Sequence, residues 1–323
     1  MALIASAAAL LGACGGQEGS SGTSAQGTSI TKLTLQLNWK AEPQFGGFYE
    51  AQRMGAFTDR GLDVQIKPGG AGVPTVQMIG AGSVEFGIVS GDELLIARAR
   101  GNHLVALFAV YQTNPQGIMC KADRGLASIA EVFTTPGTLA MERGLPYALY
   151  LEQKYGVEML KIVPSPFGDL TQLRTEPNYA MQCFVTSEPL AARKAGIDVT
   201  AFLIADGGWN PYTTVLACRS SYLKEHLDTV KNMVEAVKEG WVSYVADPTA
   251  ANQTMQKLNP TMTAETFAAS AAAQKTLIVP EGTASDGIGQ MTDKRWQTLA
   301  SDMKRIGSID ELPRVRDVYY QGN

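Results

Sequence analysis

The chain has 323 residues, 45% of them hydrophobic and 18% charged, with 31 acidic against 27 basic side chains and a net charge of −4. That length exceeds one typical domain and predicts two lobes, while the scattered charges form no basic face of the kind that binds nucleic acid. Cys14, Cys120, Cys183 and Cys218, with His103 and His226, show neither zinc-knuckle nor Cys-x-x-Cys spacing, so neither a metal nor a cofactor is expected.

Ala2 to Ala13 is an apolar run, shorter than the roughly 20 residues that cross a bilayer and of the length of a signal-peptide core. It ends in Leu11-Gly12-Ala13-Cys14, which resembles a bacterial lipobox. Residues 1–13 are therefore expected to be a lipoprotein signal peptide, with Cys14 lipid-modified as a membrane anchor. The bland alternative is a buried N-terminal helix with a chance cysteine. No Lys or Arg precedes the apolar run, a departure from the usual signal pattern. Gly15 to Ser29 is rich in Gly, Ser, Thr and Gln with one charge, Glu18, so residues 14–29 read as a flexible tether.

From Leu33 onward short β-type runs alternate with helical ones, the pattern of an α/β protein built on largely parallel sheets. Strands are expected at 33–38, 63–67, 85–90 and 104–111, with helices at 48–54, 75–81 and 93–100, each bounded by glycine at one end or both. A second set follows: strands at 138–141, 161–163, 180–185 and 199–204, and a helix at 147–155. Gly117-Ile118-Met119-Cys120-Lys121 and Thr214-Val215-Leu216-Ala217-Cys218-Arg219 are alike, each an apolar run closing on a basic residue. They read either as the strands by which the chain leaves one lobe and returns to it, or as strands alike by chance. Beyond Tyr222 the pattern is helical, including 231–244 and 292–306, and Asp247-Pro248 stops the first of these because proline cannot continue a helix from within.

Residues 35–64, LQLNWKAEPQFGGFYEAQRMGAFTDRGLDV, resemble the opening of the solute-binding proteins that serve thiamine-pyrimidine precursors, nitrate, sulfonates and taurine. The resemblance continues through VEFGIVSGDELLIARARG at 84–101, Ser187-Glu188-Pro189, VLACRSSYLKEHLDTVKNMVEAVKEGW at 215–241 and DGIGQMTDKRWQ at 286–297. Asn38-Trp39 and the helix after it are most similar to the pyrimidine-precursor branch. The resemblance implies a type II periplasmic-binding-protein fold, α/β with two lobes, a hinge and a ligand cleft. Lobe 1 would comprise 30–116 and 217–323 and lobe 2 would comprise 117–216. It also implies delivery of a small molecule to an ABC permease and ATPase, with no catalysis required. A pyrimidine synthase of thiamine biosynthesis shares the fold, binding pyridoxal phosphate through a lysine and consuming one of its own histidines. This chain has Val89 where that lysine should stand and Glu93 where that histidine should, and residues 210–214 lack the cysteines of its iron-binding run. On these departures no enzyme is expected.

Trp39 follows the first strand, at the carboxyl end where open α/β sheets place ligands, so its indole could stack on a planar ring or seal the sheet edge. Asn38 could present its amide or close a turn, and Tyr49 could face the cleft or pack on the lobe. Gly46-Gly47 could bare helix N–H groups to a partial negative charge or form a plain turn. Ser90 and Glu93 have capping-box spacing; in the other reading Asp92 or Glu93 sends a carboxylate into the cleft. Glu188 either caps the next helix or contacts ligand from the second lobe. Trp209 and Tyr212, flanking Asn210-Pro211, could border the hinge and line the site or build a surface turn. Gly69-Gly70-Ala71-Gly72 lacks both dinucleotide and P-loop spacing and reads as a βα turn.

Carboxylates at the cleft disfavour nitrate or a sulfonate, because an uncompensated buried anion would repel them. The expected function is therefore that of an extracytoplasmic, lipid-anchored binding protein of an ABC importer. Its expected ligand is a small planar nitrogen heterocycle such as a thiamine pyrimidine precursor. The alternatives are a binder of an oxyanion and an enzyme of thiamine pyrimidine biosynthesis.

Overall fold

The computed structural model describes residues 30–166, 168–280 and 287–322. Cys14, the expected signal peptide and the tether lie outside the described residues. In chain order the strands are β1 (Thr31–Gln36), β2 (Leu62–Lys67), β3 (Phe86–Val89), β4 (Leu104–Tyr111), β5 (Gln116–Lys121), β6 (Gly137–Ala140), β7 (Leu160–Val163), β8 (Tyr179–Phe184), β9 (Val199–Leu203) and β10 (Thr213–Arg219). Helices α1 (Gly46–Arg53), α2 (Thr75–Ala81) and α3 (Gly91–Ala99) connect the first strands. Helices α4 (Ile129–Thr134), α5 (Pro146–Tyr155), α6 (Thr171–Thr175) and α7 (Glu188–Lys194) serve the second set. After β10 come α8 (Ser220–Glu225), α9 (Leu227–Ala246), α10 (Thr249–Leu258), α11 (Ala264–Ile278) and α12 (Asp293–Arg305).

The strands form two five-stranded sheets, ordered β2-β1-β3-β10-β4 and β7-β6-β8-β5-β9. Each is mixed rather than largely parallel. The first three strands in each order run parallel, but β10 is antiparallel to β3 and β4, and β5 is antiparallel to β8 and β9. The physical reason is the route of the chain: β5 and β10 are the strands laid down just after each crossing, and each enters its new sheet from the end opposite to the βα units. The two segments of like sequence character thus occupy the same place in their sheets.

The first lobe is held by close helix packing. A side chain at Gly46 would overlap the Tyr244 ring at 2.1 Å, one at Gly47 the Trp241 indole at 2.2 Å, and one at Gly240 the Gly47 carbonyl at 2.2 Å. Gly46-Gly47 therefore let α1 lie against α9, burying Phe48 edge-on to Trp241 with ring centroids 5.8 Å apart. α9 ends at Ala246, before Asp247-Pro248.

Residues 112–115 and 204–212 cross between the lobes, and Arg295 on α12 holds both. Its Nη1 donates to the Gln112 carbonyl (2.5 Å), Nε to the Asn210 carbonyl (3.0 Å), and Nη2 to Asn210 Oδ1 (3.0 Å) and the Pro211 carbonyl (3.1 Å). Asn210 Oδ1 also accepts from the Asn114 N–H at 2.8 Å, tying one crossing to the other. Just past the second crossing Thr214 has φ of 54°, a left-handed value that a β-branched residue rarely adopts.

Candidate functional site

The carboxyl ends of β1 and β3 in one sheet, and of β6 and β8 in the other, carry the turns in which open α/β sheets place ligands. After β1 the chain turns sharply: Gln36 Nε2 donates to the carbonyls of Leu37 (2.9 Å), Lys67 (3.3 Å) and Pro68 (3.4 Å). Gly69 donates to the Trp39 carbonyl at 2.8 Å, and a Cβ at Gly69 would fall 2.2 Å from the Leu37 carbonyl. The glycine-rich turn is thus the backing on which Asn38 and Trp39 are set. Trp39 is half-buried against the first lobe's core.

Three residues further on lies Glu42, which the sequence reading did not single out. Gln44 Nε2 donates to its Oε2 at 3.3 Å and Asn259 Nδ2 to its Oε1 at 3.5 Å. Burial raises its carboxyl to about 7, and the charge of Glu188 pushes the same way against the hydrogen bonds of Gln44 and Trp39 and the charge of Lys40. Glu188 opens α7 in the other lobe, where its Oε2 accepts the Phe184 N–H at 2.7 Å. Burial raises its carboxyl too, opposed by the backbone N–H groups of Phe184 and Glu188. So Glu188 caps the end of β8, and its charge is felt at Glu42. The signal for Glu42 was present: a lone acid between Trp39 and Pro43, in the turn that leaves the first strand.

The lobes touch. Tyr111, the last residue of β4, donates to Gln274 Oε1 of α11 at 2.6 Å. Gln274 in turn donates to the Pro43 carbonyl at 2.9 Å. Farther along α7, Lys194 Nζ reaches Thr263 Oγ1 and Glu265 Oε2, both at 2.9 Å. The cleft is therefore closed. On the second lobe's wall Gln182 Oε1 accepts from the Glu142 N–H (2.7 Å) and from the Tyr147 hydroxyl, while Gln182 Nε2 donates to Glu142 Oε2 (3.0 Å).

Ser90 and Glu93 form the expected capping box at the start of α3, and Ser90 Oγ also donates to Asp92 Oδ1 at 2.5 Å. Asp92 is half-buried, and burial raises its carboxyl. Glu93 keeps solvent access, yet crowding by surrounding protein and the charge of Asp92 raise its carboxyl as well. Glu93 and Asn38 line a groove of about 340 Å³ between α2 and α3 that also touches Val73, Ile96 and Arg100. The three other aromatic candidates are packed away. Tyr49 is 2% exposed in the first lobe's core, and Trp209 is 1% exposed with its ring 5.2 Å from Tyr150. Tyr212 is 2% exposed beside Trp296, with the Arg295 guanidinium 3.9 Å above its ring.

A family profile described as NMT1/THI5 like matches residues 42–251, more than half of the chain. The chain belongs to the NMT1/THI5-like family. Relatives of this family member include 4-amino-5-hydroxymethyl-2-methylpyrimidine phosphate synthase THI11 of Saccharomyces cerevisiae, 23% identical over 244 residues that cover 69% of this chain and 70% of the relative. Riboflavin-binding protein RibY of Chloroflexus aurantiacus is 23% identical over 237 residues, 68% of this chain and 64% of its own. In fold, the periplasmic aliphatic sulphonate binding protein SsuA from Escherichia coli aligns with a TM-score of 0.68 at 12% identity, covering 90% of this chain and 92% of that one. The periplasmic-binding-protein architecture is thereby shown.

The expectation that the chain is not an enzyme is overturned by these relatives, several of which are named as pyrimidine phosphate synthases. The residues present do not, however, fit pyridoxal phosphate. Val89, standing where the resemblance places the lysine, is an apolar side chain 1% exposed at the end of β3 and offers no amine. Among the described residues no group of three or more His, Cys, Asp or Glu is placed to hold a metal ion. Nor is any described helix long and apolar enough to cross a membrane.

Proposed function

We propose that this chain is the extracytoplasmic substrate-binding component of an ABC importer and closes its two lobes on a small planar nitrogen heterocycle, a thiamine pyrimidine precursor being the first candidate. The observation that carries this reading is the polar and aromatic lining after β1 and β3, where Trp39 is half-buried and Asn38 and Glu93 line a groove of about 340 Å³. Glu42 in the same turn and Glu188 at the start of α7 add acids whose carboxyls burial raises, and buried acids are costly unless a ligand brings donors or positive charge to them. A ring with amino and ring N–H groups does so, and the indole of Trp39 supplies a stacking face worth about 0.5–1.5 kcal/mol beyond burial. Asp92, Glu93 and Asn38 extend the polar wall on the first lobe. Two relatives are named for planar nitrogen rings, a pyrimidine and riboflavin. An oxyanion such as a sulfonate or nitrate would instead be repelled by these carboxylates.

Lipid attachment at Cys14 and delivery to a permease and ATPase complete the proposal. Changing Cys14 to Ser should abolish fatty-acid labelling of the precursor. For the ligand, titration calorimetry against an aminopyrimidine, riboflavin, taurine and nitrate is the deciding experiment. Tight binding of taurine or nitrate that survives Glu188→Gln overturns the reading. A second reading, carried by the synthase names, gives the same cleft a catalytic task. Its signature would be release of a phosphorylated aminopyrimidine by the purified chain, read by mass spectrometry.

A further inference from the structure

The groove between α2 and α3, about 340 Å³, is of a size that holds a drug-sized ligand rather than one small ring. Its α3 wall is a stripe of Glu93, Ile96, Ala97 and Arg100, at the three- and four-residue spacing that puts side chains on one helix face. At a rise of about 1.5 Å per residue, Glu93 and Arg100 stand about 10 Å apart along the axis. Facing them are α2 and the apolar turn of Val73 and Pro74 that leads into it. The near end of the groove holds polar atoms without partners. Thr75 is 4% exposed, and its Oγ1 has no hydrogen-bond partner among the described residues. A Cβ at Gly87 of β3 would meet the Thr75 methyl at 2.7 Å, so the methyl takes the sheet side and the hydroxyl is the polar atom that Thr75 brings to the groove. The Asn38 amide has no partner among the described residues either, while Glu93 accepts from Ser90 through Oε2 and keeps Oε1 unengaged. The far end carries the opposite charge. There Asn102 Nδ2 donates to the Val76 carbonyl at 3.2 Å, and Gly80 makes room for it, since a Cβ at Gly80 would fall 2.2 Å from that nitrogen. Asn102 is thereby fixed two residues after Arg100, whose guanidinium makes no hydrogen bond or ion pair among the described residues.

Resting on the binding reading above, we propose that this groove holds an arm of the ligand, which is a planar nitrogen ring carrying an apolar arm that ends in an anion, a phosphate monoester or a carboxylate. Asn38, Thr75 and Glu93 address the ring, with Glu93 accepting from its amino group. The arm runs between Val73 and Ile96, and Arg100 with Asn102 takes the anionic end. The forked donors of a guanidinium match the oxygens of a phosphate or carboxylate, a fit that a lone ammonium lacks. Separation decides the sign of the interaction. An anion held at Arg100 is about 10 Å from Glu93, beyond the roughly 8 Å over which exposed charges act at physiological ionic strength, so the acid that repels a bare oxyanion at the ring end does not oppose one at the far end.

Titration calorimetry of the whole protein with three matched probes tests this. The probes are 4-amino-2,5-dimethylpyrimidine as the ring alone, 4-amino-5-(3-hydroxypropyl)-2-methylpyrimidine as ring and arm, and the phosphate ester of that alcohol. The ester should bind about tenfold tighter than the alcohol, the gain of one charge-assisted contact. Arg100→Gln should close that gap, and Arg100→Lys, which keeps the charge without the fork, should restore part of it. Thr75→Val should weaken all three probes alike, since they share the ring, with circular dichroism confirming that each variant is folded. Equal affinity for ester and alcohol, or a gap that survives Arg100→Gln, overturns the anionic arm while the ring's own binding sustains the reading on which it rests. Inorganic phosphate that competes as well as the ester overturns the linkage of ring and anion in one site. Binding of the ester alone, lost in Arg100→Gln, overturns the ring reading and keeps the anion contact. Binding of none of the three overturns both.

Discussion

The two lobes share one sheet plan and differ in how well it is covered. In the first, β4 is buried along all 8 residues, and α1 and α9 press Phe48, Trp241 and Tyr244 into one core. In the second, the edge strands β7 and β9 are only partly buried, and the sheet's own outer cluster is made of Met119, Ala140, Leu173, Tyr179, Met181 and smaller neighbours. The other face of the second sheet is well covered, with Ile118, Val132, Phe133, Leu139 and Leu151 in a cluster shared with Leu94, Trp296 and Leu299. The difference between the lobes therefore lies in the second sheet's outer face and edges, where less apolar surface leaves water and less stability is gained.

The strongest way to break that comparison is by truncation in each core. Trp241→Ala should cost about 3–5 kcal/mol and Leu173→Ala about 2 kcal/mol, measured by urea denaturation; equal losses would show that the lobes are equally loaded. Next in size is the affinity of the site, which joins a wall from each lobe. Glu188→Gln should weaken binding of an aminopyrimidine by about one to two orders of magnitude, and Trp39→Ala should weaken it too and remove most ligand-induced fluorescence quenching. An unchanged dissociation constant in both variants would detach the site from these two walls.

A smaller effect comes from pH. Glu42 is raised from 4.5 to about 7 in the folded chain, so the folded state binds more protons than the unfolded one between those values. Stability is then greatest below about 4.5, falls as pH rises to about 7, and levels off above, unlike an ordinary paired carboxylate that stabilises at high pH. Thermal melting of the unliganded chain from pH 5 to pH 8 should show this slope, and Glu42→Gln should flatten it. The smallest effect is at the cleft's lip, where Lys194 is half-exposed and its partner Glu265 more so. Lys194→Ala should change stability by at most about 1 kcal/mol and less in high salt, whereas a larger loss would mean that this lip contact, more than the grip of Arg295 on both crossings, holds the lobes together.

Much of this architecture was written in short-range patterns. Alternating apolar runs and glycine stops marked the strands and helices, and Ser90 with Glu93 marked the start of α3, because caps and periodicity are local. Even the two crossing strands betrayed themselves by similar runs closing on Lys121 and Arg219. The sign of their pairing did not, since antiparallel entry depends on which end of a sheet the chain arrives at. Tyr49, Trp209 and Tyr212 illustrate the opposite limit: an aromatic beside a turn has the same sequence whether it meets ligand or core. Glu42 and Arg295 depend on partners more than a hundred residues away in sequence, Asn259 for one and Gln112 for the other, and no window on the chain could join them.

The second crossing is short in a way that sets the mechanics of the molecule. Trp209 is locked against Tyr150 in one lobe, and Tyr212 is locked against Trp296 in the other, with only Asn210 and Pro211 between them, both gripped by Arg295. Bending has almost no chain in which to spread, so each lobe must swing as a lever about a nearly fixed fulcrum. Travel then grows with distance from the fulcrum: atoms beside Tyr212 scarcely move, while those at the lip near Lys194 sweep the longest arc. On the binding reading proposed above, the rim is the part of the surface that gains the most displacement for the least change at the pivot.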